Sequence, residues 1–165
     1  MKKLACIVFA IASLGVASGQ KLGVINSQKA ILDTDEIKKA QVDLETKFKP
    51  RQDKIVQIQK DLQTISAQLQ GGKLNALGEQ ELTAESQKKQ RDLQRFQQDL
   101  QDDVNVERND ILQRSGTRMQ EVVKKLAEEK GLDVVVDSAS TVFYKAAFDI
   151  TVEAVAAYNK TYPVK

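Results

Sequence analysis

The chain has 165 residues, with 25 Lys and Arg against 23 Asp and Glu, one Cys and no His. Without His it lacks the commonest general base and metal ligand of proteins, so we assign no catalytic residue, no metal site and no cofactor site. Aromatic residues make up only 5% of the chain and charged residues 29%, which favours an elongated, well-solvated protein over an enzyme with a deep pocket.

The N-terminus has the pattern of a cleavable signal peptide over residues 1–19. Met1-Lys2-Lys3 is basic, residues 4–17 carry no charge, and Ala17-Ser18-Gly19 offers small residues to a signal peptidase. The apolar run is shorter than the roughly 20 residues that a membrane-spanning helix needs. Cleavage would remove Cys6 and two lysines, leaving 23 basic against 23 acidic side chains. We therefore expect an exported protein without thiols, and the balanced charge argues against a nucleic-acid partner.

The middle of the chain, residues 34–130, has an almost wholly helical composition. Asp33 is followed three residues later by Glu36, which is the spacing of a capping box and predicts the start of a first long helix. Over residues 55–69 apolar side chains recur in steps of three and four, as in a coiled coil. The repeat is interrupted just before this stretch, where Pro50 lies. We expect a kink there or a break into two helices.

A hairpin tip is predicted at residues 70–78, which contain three glycines. A second helix is predicted over residues 79–130, with Gly131 as its C-cap. Its apolar stripe is sparse, because Ser86 and Lys89 stand where the repeat should continue. A helix of about 50 residues is on the order of 75 Å long, far longer than a compact domain of this size. The two helices therefore predict a projecting hairpin.

The core-forming residues lie at the two ends of the predicted mature chain. We assign residues 20–33 and 111–165 to a small β-rich body with a C-terminal helix, and residues 34–110 to the hairpin. Five of the seven aromatic residues after residue 19 fall between positions 143 and 162. A core built from about 50 residues is marginal alone, so we expect oligomerisation. The predicted strand residues of this oligomerisation body are Val24, Ile25, Val134, Val135, Val136, Val142, Phe143 and Tyr144.

Three segments in this order carry a family resemblance. They are Leu-Gly-Val-Ile-Asn at residues 22–26, Gly-Leu-Asp-Val-Val-Val-Asp at residues 131–137, and Phe143-Tyr144 followed by Asp149-Ile150-Thr151. Around a Gln/Lys/Glu-rich hairpin and behind a signal peptide, they resemble the Skp/OmpH family of periplasmic chaperones over essentially the whole mature chain.

The resemblance implies an α+β, mostly α fold. A coiled-coil hairpin, or tentacle, projects from a small β-sheet body, and three chains form a jellyfish-like homotrimer. It implies an ATP-independent periplasmic holdase. Its tentacles enclose unfolded outer-membrane β-barrel proteins and prevent their aggregation before membrane insertion. The sequence agrees with the absence of ATP, because it contains no G-x-x-x-x-G-K-[ST] segment.

A holdase needs scattered apolar contacts, and the hairpin stripe supplies candidates. A periodic stripe more often packs the two helices of a hairpin together. The two aromatic residues of the hairpin favour client contact, since one of them lies off the regular repeat. The apolar candidates for client binding are Phe48, Ile55, Ile58, Leu62, Leu93 and Phe96.

Charge is uneven along the hairpin. Segments 47–54 and 88–95 each carry a net charge of +3, whereas segment 99–110 carries −4. With a tip near Leu74, we expect the two basic segments to lie side by side as a belt that attracts acidic clients or anionic lipid headgroups. An ordinary solvated face with salt bridges is an equal alternative. The cationic candidates for client binding are Lys88, Lys89, Arg91 and Arg95.

Other interpretations stay open. The chain has features of a secreted coiled-coil spacer of the cell envelope without a client, although Ser86 and Lys89 interrupt the seam that a spacer should fill. An enzyme would need paired carboxylates such as Asp102 and Asp103, which on a charged helix are solvated more often than catalytic. Pro50 is a hinge candidate that lets the tentacle splay for larger clients, with a fixed kink as the alternative.

Overall fold

The structure, a computed structural model, describes residues 19–164. The predicted signal peptide, apart from Gly19, lies outside these residues. The described chain has the expected α+β fold, mostly helical, with two long helices between short strands. In chain order the elements are strand β1 (Leu22–Ile25), helices α1 (Ser27–Leu32), α2 (Asp35–Gln70) and α3 (Ala76–Lys130), strand β2 (Val134–Asp137) and helix α4 (Thr151–Thr161), with short 3-10 turns at Ser138–Ser140 and Ala146–Phe148.

Strands β1 and β2 pair in parallel, with Leu22 opposite Val134 and Ile25 opposite Asp137. Parallel neighbours cannot be joined by a tight turn and need a long crossover connection. Here the whole segment from α1 to α3 is that connection. The hairpin is therefore an insertion between two adjacent strands, and both of its ends are held at the same sheet.

The third predicted strand, Val142-Phe143-Tyr144, is wrong. This segment has no strand structure, Val142 is fully exposed and Phe143 is 80% exposed. An extended segment becomes a strand only when a neighbour satisfies its backbone hydrogen-bonding groups. Within residues 19–164 the sheet contains β1 and β2 only, so this apolar segment lies on the surface of the single chain.

The N-cap of helix α2 lies one residue after the predicted N-cap. Thr34, not Asp33, is the N-cap, and its hydroxyl oxygen accepts a hydrogen bond from the amide of Ile37 at 3.3 Å. Asp33 instead forms an ion pair with Lys29 in the preceding helix α1. The helix is continuous over 36 residues with Pro50 inside it, so of the two expected alternatives at the proline, a kink or a break, the break does not occur. Packing against α3 on both sides of the proline offsets the hydrogen bond that it removes.

The hairpin tip is shorter than predicted, because α2 ends at Gln70 and α3 begins at Ala76 instead of residue 79, whereas α3 ends at Lys130 as predicted. Asn75 caps α3 by accepting a hydrogen bond from the amide of Gly78 at 2.8 Å. Helix α3 has 55 residues, about 80 Å at 1.5 Å per residue, and outlasts α2 at the body end. It ends at Gly131, whose φ of 62° lies in the left-handed region that glycine adopts without strain.

The hydrophobic core lies in the body, where the last turns of α3 meet α1, α4 and the sheet. Helix α1, which the sequence analysis missed, supplies the fully buried Ala30. The larger part of α3 extends away from this core. The core residues are Ile25, Ala30, Met119, Val122, Leu126, Ile150, Ala154 and Tyr158.

Candidate functional site

The hairpin seam accounts for most of the apolar stripe. Phe48 is only 4% exposed and Ile65 only 5%, so both side chains pack between α2 and α3. This burial leaves almost none of the Phe48 ring for another molecule, contrary to its expected place on the client side. The other apolar candidates, Ile55, Ile58, Leu62, Leu93 and Phe96, are half-buried.

Each of the two phenylalanines lies beneath two cations. Lys47 Nζ is 5.5 Å and Arg51 Cζ 5.8 Å from the centre of the Phe48 ring. Lys54 Nζ is 4.0 Å and Arg95 Cζ 5.4 Å from the centre of the Phe96 ring. Such contacts stabilise by about 0.5–1 kcal/mol each when they are exposed. They also hold the charged groups of Lys54 and Arg95 close together, although these residues belong to different helices.

Ion pairs across the hairpin correct the predicted register of the charges. Lys47 pairs with Glu107, and Arg51 pairs with Asp103. The basic segment 47–54 of α2 therefore lies beside the acidic segment of α3, not beside the basic segment 88–95. Opposite charges attract across facing helices and like charges repel, so this register is the one that electrostatics favours.

A third cross-hairpin pair lies in the seam itself. Lys89 Nζ is 2.8 Å from Asp61 Oδ2, and both side chains are about two-thirds buried. The hydrogen bond from Lys89 lowers the pKa of the Asp61 carboxyl, and the same bond raises the pKa of the Lys89 ammonium. Lys89 is thus neutralised by a partner inside the hairpin and is less available to another molecule than its neighbour Lys88.

Among the described residues, cations without an acidic partner on the facing helix lie near the distal half of the hairpin. Segment 88–95 faces residues 55–66, whose charged side chains are Lys60 and Asp61. Arg95 has an acidic neighbour, Asp92, on its own helix at 3.3 Å. We call the following cations the distal basic surface: Lys54, Lys60, Lys88, Arg91 and Arg95.

Sequence reasoning missed a set of exposed aliphatic side chains on the hairpin. They are between 46% and 64% exposed, so another molecule can contact each of them. The signal was present, since each of them lies outside the periodic stripe. These residues, the exposed aliphatic set, are Val42, Val56, Leu77 and Val106.

The body carries a second apolar surface. Of the predicted body residues, Val24 and Ile25 are buried, whereas Val134 and Phe143 are largely exposed. Val152 at the start of α4 is 77% exposed. Tyr144 is half-buried, and its hydroxyl lies near the carboxylate of Asp149. The body of the single chain therefore leaves apolar side chains in contact with water.

Two further properties constrain what the molecule can do. In the described part of the chain, no helix combines the length and the apolar character needed to cross a bilayer. Among residues 19–164, no three acidic, His or Cys side chains converge on a point where a metal ion would sit. The surfaces that stand out are the exposed aliphatic set, the distal basic surface and the apolar patch on the body.

Comparison with known proteins gives a consistent result. The family model described as "Outer membrane protein (OmpH-like)" matches residues 21–158. The "Skp-like protein" of Pseudomonas aeruginosa is 25% identical over 142 residues, which are 85% of this chain and 84% of that protein. The "Chaperone protein Skp" of Pectobacterium atrosepticum is 30% identical over 164 residues, covering 93% and 96% of the two chains.

A solved structure supports the fold. The crystal structure of an OmpH-like outer membrane chaperone from Caulobacter crescentus matches with a TM-score of 0.76 at 18% identity and covers 88% of both chains. At that identity the likeness concerns the fold alone. The match of the family model over most of the chain confirms the resemblance drawn from the order of its segments: this chain belongs to the Skp/OmpH family.

Proposed function

We propose that this protein is an ATP-independent holdase chaperone of the periplasm. It binds unfolded outer-membrane β-barrel proteins and prevents their aggregation before membrane insertion. The supporting observation is a hairpin far longer than its body, with separate apolar and basic side chains exposed along it. Family membership supports the same role, because the relative from Pectobacterium atrosepticum is called a chaperone protein.

The exposed aliphatic set suits weak and reversible binding. Full burial of a Val or Leu side chain is worth about 1.5–3 kcal/mol, so a side chain about half exposed can gain on the order of 1 kcal/mol from a client. Several such contacts hold an unfolded chain, while each one breaks easily. This arrangement needs no ATP to release the client.

The distal basic surface adds a long-range attraction. Lys88 and Arg91 are exposed, and among the described residues neither forms an ion pair. Unpaired cations on a projecting helix attract acidic segments of a client, and this attraction weakens with salt. Anionic lipid headgroups would meet the same cations, so lipid vesicles are a second ligand to test.

We also propose that the body assembles into a homotrimer. Val134, Phe143 and Val152 are exposed apolar residues on one small domain, and a second copy of the chain would remove them from water. The segment around Phe143 has the composition of a strand but lacks a partner in the single chain. A neighbouring subunit could supply that partner, which explains why the strand prediction failed for the isolated chain.

Native mass spectrometry tests the function. Residues 20–165 are measured alone and after mixing with an outer-membrane β-barrel protein diluted from urea. We expect a trimer that gains one client chain. An assembly that stays empty while the β-barrel protein precipitates would favour the alternative, a coiled-coil spacer of the cell envelope.

A charge variant tests the distal basic surface. Replacing Lys60, Lys88 and Arg91 by Gln should weaken client capture and flatten its salt dependence. The matched control replaces Lys47, Arg51 and Lys39 by Gln. It removes the same charge from the hairpin, but from cations that already have acidic partners. Equal effects of the two variants would show that net charge matters and the distal basic surface does not.

Pro50 remains a hinge hypothesis. The proline lies on the exposed side of a continuous α2, and it removes one backbone hydrogen bond there. If it is a hinge, Pro50→Ala should lower the affinity for large clients more than for small ones. Unchanged relative affinity would leave Pro50 as a fixed feature of the helix.

A further inference from the structure

The root of the hairpin has a weak point in its longer helix. Ser115 and Gly116 are adjacent in α3, and Gly–Ser pairs are among the recognised causes of sharp helix bends. Tight packing does not require the glycine. A Cβ atom at Gly116 would meet Ile31 Cδ1 at 3.8 Å, which is ordinary van der Waals contact. The glycine therefore lowers the resistance of α3 to bending at a place where an alanine would fit.

A single carboxylate bridges this weak point. Arg118 Nη1 donates to both oxygens of Glu36, at 2.9 and 3.0 Å, and Arg114 Nε donates to Oε1 at 3.1 Å. The two arginines lie one helical turn apart and flank the Ser115-Gly116 pair. Glu36 is in the first turn of α2 and only 13% of its side chain is exposed. The carboxylate therefore connects the helix turns above and below the pair, as a splint connects two parts of a rod.

Helix α4 fixes the position of the Glu36 carboxylate. The hydroxyl of Tyr158, a fully buried residue, donates to Glu36 Oε2. The guanidinium of Arg118 stacks on the Tyr162 ring, 4.7 Å from its centre. Asn159 Oδ1 accepts a hydrogen bond from the amide of Asp35 at 3.0 Å. Three helices thus meet at Glu36, and the last one comes from the opposite end of the chain.

The length of the hairpin increases the effect of any change in angle at Glu36. From Glu36 to residue 59 the helix α2 spans about 35 Å, so a rotation of about 10° at the root moves residue 59 by about 6 Å. Beyond the root, α2 and α3 pack against each other and not against the body. Small changes in angle at the root are therefore amplified along the hairpin.

We propose that the Ser115-Gly116 pair is the bending point of the hairpin and that Glu36, held by Arg114, Arg118 and Tyr158, is a splint that keeps it straight. Opening of this network lets the hairpin splay and widens the space beside it. The role in accommodating clients of different size rests on the proposed holdase function. The mechanical inference concerns the free protein and is tested without any client.

The distance between two spin labels on one chain tests whether Glu36 restrains the hairpin. Residues 20–165 contain no cysteine, so spin labels can be attached at Cys residues introduced at Gln59 and Ala139, both exposed. Labelled chains are diluted with unlabelled chains so that only distances within one chain are seen. Glu36→Gln should broaden the distance distribution by on the order of 6 Å, the displacement calculated for a 10° rotation. Gly116→Ala, added to this variant, should narrow it again.

Two controls separate the splint from general loosening. Lys130→Gln removes the ion pair of Lys130 with Glu153, which joins α3 to α4 without touching α2, and should leave the distribution unchanged. Thr83→Ala raises helix propensity far from the root and should not rescue Glu36→Gln. A narrow distribution in Glu36→Gln, or rescue by Thr83→Ala as good as by Gly116→Ala, would overturn the inference. Failure of the unmodified protein to bind a client would count against the holdase function and not against the splint.

Discussion

Replacing Phe48 by Ala separates the two roles that an aromatic residue in the hairpin can have. The side chain is 4% exposed, and truncation of a buried Phe to Ala destabilises a protein by about 3–5 kcal/mol. Two features place the expected loss near the lower limit. The seam between two helices can relax more than the interior of a globular domain, and Ala has the higher helix propensity by about 0.5 kcal/mol. Losing both cation–π contacts acts in the opposite direction.

The expected loss is therefore about 3 kcal/mol in the free energy of local opening. Native-state hydrogen exchange measures this free energy amide by amide. Around residues 44–52 and 100–107 the exchange should become about 100-fold faster, since each 1.4 kcal/mol is a factor of ten. Phe96→Ala, at a half-buried ring, should have a smaller effect, and Val42→Ala, at an exposed side chain, should change stability by less than about 0.5 kcal/mol. The reasoning is wrong if Phe48→Ala behaves like Val42→Ala and weakens client binding instead.

Three further predictions follow from single contacts. Gly131→Ala should lower stability by about 1 kcal/mol and reduce the melting temperature, because its φ is 62°; Gly72→Ala has the same φ but lies at the tip, which can open alone, and should affect melting less. Replacing Lys89 alone by an apolar residue should accelerate amide exchange in the hairpin more than replacing both Lys89 and Asp61, since the single change leaves the half-buried Asp61 carboxylate without a cation; equal effects of the single and double variants would count against the pairing. Burial alone would raise the pKa of the Glu36 carboxyl, but its hydrogen bonds outweigh burial and lower the pKa. The ionised carboxylate therefore stabilises the fold fully above the unfolded-state pKa of about 4.3, and this stabilisation is lost as the pH falls through the lower folded-state pKa. Below pH 5 the melting temperature of Glu36→Gln should therefore depend less on pH than that of the unmodified protein.

Periodicity and caps predicted the fold where each signal is local. The step of three and four in residues 55–69 needs only one partner helix, and the glycines at 71, 72 and 131 mark chain reversals by their own backbone freedom. The start of α2 was predicted less well. Asp33 is the better N-cap in isolation, but in the structure it is the C-cap of α1 and pairs with Lys29. That choice depends on helix α1, whose six residues are too short to give a periodic signal.

The candidate site was harder to predict because it depends on register. Local counting of charges identified the basic segments correctly, but not which segment of the other helix each one faces. The pairs of Lys47 with Glu107 and of Arg51 with Asp103 neutralise cations of one basic segment, whereas Lys88 and Arg91 of the other segment form no ion pair with any described residue. Similarly, composition marked the apolar residues, whereas exposure of Val42 and Val106 depends on the face of the helix that they occupy. A stripe identifies the seam, and the residues outside the stripe are the ones available to a partner.

Pro50 and Gly116 are two possible places for the hairpin to bend, and their physics differs. Proline removes one hydrogen bond but fixes its own φ, so it favours a single bent shape over a range of shapes. Glycine widens the accessible backbone angles and keeps the hydrogen bond, so it permits motion at a cost of only about 1 kcal/mol in helix propensity. Motion must also be limited. The ion pairs on the two sides of Pro50 use two different carboxylates, whereas the single carboxylate of Glu36 bridges the helix turns on both sides of Gly116. A hairpin with an adjustable angle requires a flexible residue and contacts that restrain it but can open. Gly116 and the hydrogen bonds of Glu36 provide this arrangement, which favours the root of the hairpin over the middle of α2 as the place where it bends.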